Sequence, residues 1–123
     1  MGEYISPSIT QLAAGPNPTL KGHKLLIVIP MDVPSSFIDA LKSEFPDLEV
    51  ATHKQVWGQV ATLPDEDWED VTILMTFASL PKVEQAPKLQ FVQLLSAGAN
   101  HILDNPVFKN TNVKFCTANG VHG

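Results

Sequence analysis

The chain has 123 residues, enough for one domain, since a single core serves about 100 to 200 residues. With 44% hydrophobic and 17% charged residues, it can build a core and lies far from the composition of disordered chains. Thirteen acidic residues against eight basic ones give a net charge of −5, which excludes the basic face that nucleic acid or an anionic membrane surface requires.

A lone cysteine, Cys116, excludes an internal disulfide framework and a cysteine zinc site, and it suits a reducing compartment. The longest apolar run, Leu25 to Ile29, is far shorter than the roughly 18 residues of a membrane-spanning helix. The N-terminus lacks the basic start and continuous apolar stretch of a secretory signal, so a cytoplasmic protein is expected.

In chain order, residues 1–22 carry Pro7, Gly15, Pro16, Pro18 and Gly22 without a sustained period and read as an irregular arm. The folded domain is expected over residues 23–123. Its first strand is KLLIVIP, a continuous β-branched and apolar run stopped by Pro30, the pattern of a strand covered on both faces. Ser35 or Ser36 can cap a following helix, in which Phe37, Ile38, Leu41 and Phe45 recur at helical spacing until Pro46. LEVAT returns as a second strand. Beside Pro64, the acids Asp65, Glu66 and Asp67 suit the start of a short helical turn, and Trp57 and Trp68 read as packing residues.

VTILMTF predicts a third strand, SLPKVEQAPKLQ a short helix or turn between prolines, and FVQLLSA a fourth strand. GANHILDNPVFKN reads as helical up to the Asn105-Pro106 break, and VKFCTA as a fifth strand. Strands alternating with helical segments at this spacing specify βαβ units. The expected fold is therefore α/β, a flavodoxin-like, doubly wound parallel sheet of about five strands.

In such sheets ligands bind beyond the carboxyl ends of the strands. Ser96, Ala97 and Gly98 follow the fourth strand. Small residues there let the backbone approach a ligand, and a following helix N-terminus offers N–H donors to an anion such as a carboxylate. The same residues also serve as a plain tight strand-to-helix turn. After the fifth strand, Asn119-Gly120 is a turn signal, and Thr117 and Asn119 offer polar side chains. His122 and His101 have no visible carboxylate or nucleophile partner, and His23 and His53 show no metal-ligand spacing. Neither Gly-x-Gly-x-x-Gly nor Gly-x-x-x-x-Gly-Lys occurs.

The segment FVQLLSAGANHILDNPVFKNTNVKFCTANGVHG resembles the end of the first segment of the substrate domain of D-isomer-specific 2-hydroxyacid dehydrogenases. Ser96, Ala97 and Gly98 match that family's turn, His101 and Ile102 its following helix, and Asn119-Gly120 its strand exit; the likeness spans roughly residues 24–123. The resemblance implies a truncated fragment, an incomplete substrate domain whose parent continues into a Rossmann NAD domain absent here. That parent transfers a hydride between NAD(P)H and a 2-oxo or 2-hydroxy acid, using NAD or NADP. The backbone amides of Ala97 and Gly98 would hold the substrate carboxylate, and Asn119 and Gly120 would line the cleft near the hinge. The family's catalytic arginine, glutamate and histidine match no residue here, and His122 is not that histidine. The 123-residue chain is thus expected to be inactive, to bind no cofactor of its own, and to self-associate through apolar surface left uncovered. The alternative is a free-standing flavodoxin-like binding or interaction module without catalysis.

Overall fold

The computed structural model describes residues 20–56, 63–77, 79–95, 113–117 and 120–121. Strand β1 (Lys24–Ile29) leads into helix α1 (Ser35–Glu44) and strand β2 (Glu49–Lys54). A single turn, α2 (Asp65–Trp68), precedes β3 (Ile73–Thr76), and a three-residue 3-10 turn at Val83–Gln85 precedes β4 (Phe91–Leu94). Strands β5 (Lys114–Thr117) and β6 (Gly120–Val121) complete the described elements.

All six strands form one sheet in the order β2-β1-β3-β4-β5-β6. The first five are parallel, and β6 runs antiparallel to β5. The order 2-1-3-4-5 is that of the flavodoxin-like α/β fold, so the expected fold class is the one the chain adopts. The short β6 was not foreseen: Thr117 pairs with Gly120 and Cys116 with Val121, a register that leaves a two-residue connection, the favoured length for a hairpin.

Helix α1 starts differently from the serine cap expected at Ser35 or Ser36. Pro34 occupies the cap position with φ −59° and ψ 135°, no side chain caps the helix, and Ser35 is already helical. The Pro34 carbonyl accepts from the amides of Phe37 at 3.0 Å and Ile38 at 3.4 Å. A proline ring fixes the φ that this entry needs, so the first turn closes without a hydroxyl. At the other end the Phe45 amide donates to the Leu41 carbonyl at 2.8 Å, and Pro46, which has no N–H, cannot extend the helix.

Alternation along the strands sorts the core into two layers. On one face Leu25, Ile27 and Ile29 of β1 join Ile73 and Met75 of β3, Phe91 of β4, and Leu41 and Phe45 from the α1 region. On the other, Leu26, Val28, Leu74, Val92 and Leu94 pack against Leu63, Trp68, Val71, Ala86 and Leu89. Trp68 is a packing residue, as expected, and Trp57 lies outside the described residues. The two connections that cover this second face are tied together by Gln85. Its Nε2 donates to Asp65 Oδ1 at 2.8 Å, and its Oε1 accepts from the Lys82 amide at 2.8 Å.

The amino end of the sheet is joined at Thr72. Its hydroxyl oxygen accepts from the Lys24 amide at 2.9 Å and lies 2.9 Å from His23 Nδ1, while the Thr72 amide donates to the Lys24 carbonyl at 3.1 Å. Burial lowers the pKa of His23 below its ordinary 6.5 and favours the neutral ring. The chain enters this end through Leu20, which belongs to the segment read as an irregular arm yet is fully buried in the first core layer.

Candidate functional site

In open α/β sheets ligands meet the carboxyl ends of the strands, and the strand order sets which ends adjoin. The order reverses between β1, whose next strand lies on one side of it, and β3, which lies on the other. That switch point is the ordinary ligand crevice of an open α/β sheet.

Here the protein's own groups bond to one another across the strand ends. Ser79, after β3, is fully buried, and its hydroxyl donates to Oε1 of Gln55, after β2, at 2.7 Å. The Ser79 amide donates to Thr76 Oγ1 at 3.1 Å, and the Gln55 amide donates to the Ile29 carbonyl at 2.8 Å. These bonds draw the ends of β2 and β3 together over the end of β1. At the rim, Lys54 Nζ and Asp32 Oδ1 stand 3.4 Å apart, both exposed, a pair of little energetic weight. The residues after β1 are Pro30, Met31 and Asp32, a proline and an acid where a dinucleotide phosphate needs glycines and bare amides.

The carboxyl ends of β4 and β5 come next along the sheet. They are adjacent and parallel, with Val92 opposite Phe115 and Gln93 opposite Cys116, so both run out at the same end of the sheet. The Leu95 amide, just past β4, donates to the Thr76 carbonyl at 3.0 Å. Ser96, Ala97 and Gly98 follow Leu95 in the sequence and lie outside the described residues, as do His101, Asn119 and His122. Of the sequence-derived candidates, Gly120 is described, and it stands in β6 paired with Thr117.

Among the described residues no cluster of three His, Cys, Asp or Glu side chains could hold a metal ion. Also among them, no helix is long and apolar enough to cross a membrane. Sequence reasoning missed the bond between Ser79 and Gln55. It joins residues 24 apart with no local spacing signal, and only the strand order brings them together. Comparison of the chain with family models, with curated proteins and with solved structures gave no match.

Proposed function

We propose that this chain forms one wall of the substrate cleft of an oxidoreductase that transfers a hydride between NAD(P)H and a 2-oxo or 2-hydroxy acid, of the D-isomer-specific 2-hydroxyacid dehydrogenase kind. One observation carries the reading. The carboxyl ends of β4 and β5 are adjacent in the parallel sheet, and Ser96-Ala97-Gly98 and Asn119-Gly120 follow those two strands in the sequence.

In this reading the amides of Ala97 and Gly98 hold the carboxylate of the acid, Ser96 precedes them in the turn, and Asn119 and Gly120 line the cleft. The nicotinamide cofactor supplies the hydride chemistry, and no residue of this chain is assigned to hold it. The 123-residue chain alone then turns over no 2-oxo acid. A robust NADH- or NADPH-dependent rate that copurifies with the intact mass overturns the reading.

A second reading, a free-standing flavodoxin-like binding or interaction module, draws on one observation: Gly120 and Val121 fold back along β5 rather than away from the sheet. Reading the native message past the codon for Gly123 separates the two. About 200 further residues with a glycine fingerprint after a strand, and with Arg, Glu and His beyond it, support the cleft wall. A stop codon directly after Gly123 supports the module.

A further inference from the structure

Strand β2 stands at one end of the strand order and has β1 as its one neighbour among the described strands. Its ladder shows which way each backbone group points. The Glu49 amide donates to the His23 carbonyl at 3.2 Å and the Gln55 amide to the Ile29 carbonyl at 2.8 Å, so Glu49, Ala51, His53 and Gln55 turn their backbone groups toward β1. Alternation then turns the amides and carbonyls of Val50, Thr52 and Lys54 outward along the edge. Thr52 and Lys54 are exposed and Val50 is half-buried.

This edge is long and unbroken. Its residues pair with β1 one to one, without a bulge, and EVATHK contains no proline. The opposite edge of the described sheet, β6, is two residues long. An edge like that of β2 is a template for a further strand, and its charges say which. Asp47 and Glu49 stand at its start and Lys54 at its end, all exposed. A second copy laid antiparallel brings the acidic end of each strand to the basic end of the other, whereas a parallel copy sets like charges together.

We propose that the outer edge of β2 pairs antiparallel with the same edge of a second copy of this chain, about a twofold axis at Thr52. In that register Thr52 faces Thr52 of the second copy and Val50 faces its Lys54, so every outward amide and carbonyl of the strand finds a partner. A shift to one side sets Lys54 opposite Leu48, whose amide is already donated to the Phe45 carbonyl at 3.0 Å. A shift to the other sets Val50 opposite Val56, beyond the end of the strand. The threonines form a favourable cross-strand pair, and the Lys54 stem covers Val50. Lys54 Nζ lies 3.4 Å from Asp32 of its own chain, an exposed side-chain pair that does not engage the backbone groups of the edge. Association thus runs through backbone groups of a strand edge rather than through apolar surface, and it is independent of the proposed chemistry.

Two measurements on the full chain test it. Sedimentation equilibrium is expected to show a concentration-dependent dimer. Thr52→Pro removes an outward donor and no bond to β1, so it is expected to weaken the dimer roughly tenfold or more while the urea midpoint of dilute protein stays near that of the parent. Under mild oxidation Thr52→Cys is expected to give a disulfide-linked dimer and Val50→Cys is not, because residue 52 meets itself across the axis and residue 50 does not. The parent chain, with Cys116 alone, sets the baseline. A parent that stays monomeric at about 1 mM overturns the proposal. So does a dimer that Thr52→Pro leaves unchanged, or equal linking of the two cysteine variants. Should Thr52→Pro fail to fold, the cysteine pair decides.

Discussion

The hydroxyl of Ser79, which follows β3, donates a 2.7 Å hydrogen bond to Oε1 of Gln55, which follows β2, across the end of the strand that separates them. Because Ser79 is fully buried, deleting its hydroxyl removes a protein partner that water cannot easily replace. Ser79→Ala is expected to lower unfolding stability by about 1 kcal/mol, read as a lower urea midpoint at unchanged slope. A midpoint equal to that of the parent chain would show that this bond does not hold the switch point closed.

A backbone test is available where the chain enters the sheet. Gly22 has φ +87°, and a Cβ built there meets nothing within 4 Å. Steric collision is therefore absent, and the cost of a side chain is the left-handed backbone alone. Gly22→Ala should destabilise by about 1 kcal/mol, with Gly22→Asn losing less because asparagine tolerates that region. Equal stability of the alanine variant, measured by chemical denaturation, would mean that the turn relaxes to another conformation.

The sequence made the central strands legible. KLLIVI, ILMT and FVQL are short, mainly apolar runs, and each is a strand buried on both faces or nearly so. It was less informative at the edge. The second strand was expected to stop at Thr52, yet it continues through His53 and Lys54, which pair with Val28 and Ile29. On an edge strand the backbone ladder is sufficient to extend pairing, whatever the polarity of exposed side chains. Leu20 was unreadable as core for a different reason. It is buried in a cluster that includes Ile73, Met75 and Phe91, more than 50 residues away, and nothing in LKG signals this. The candidate site divides in the same way: the sequence pointed to strand ends, and the bond between Ser79 and Gln55 was invisible without the strand order.

Acid sensitivity follows from His23. Burial lowers its folded pKa below 6.5, whereas the unfolded ring titrates near 6.5. Above that pH the ring is neutral in both states and contributes nothing to pH dependence. As the pH falls below 6.5 the unfolded chain takes up the proton first, so stability declines until the folded pKa is reached. Urea midpoints between pH 7.5 and pH 5.5 should fall, and His23→Gln should flatten that fall. A parent chain whose midpoint is constant over the same window would contradict the burial of a neutral ring against Thr72.

The largest single loss is expected at Trp68, which is 1% exposed and packs with Leu26, Val28, Leu74 and Val92 from three neighbouring strands. It is carried by a helix of four residues, far too short to be stable alone, so the indole holds the turn in place as much as the turn presents the indole. Trp68→Ala is expected to cost about 3 to 5 kcal/mol, a large share of the roughly 5 to 15 kcal/mol that keeps an ordinary domain folded. Trp68→Phe, which retains an aromatic ring in the same layer, should lose clearly less. Gln85→Ala provides the complementary test, because the bond from Gln85 to Asp65 fixes the same turn from outside the core. Its loss should be about 1 kcal/mol or less, since that contact is exposed. Far-UV circular dichroism during urea unfolding reads all three variants without depending on indole fluorescence. If Trp68→Ala cost no more than Gln85→Ala, the second core layer would be held by the strands alone, and α2 would be an accessory to it.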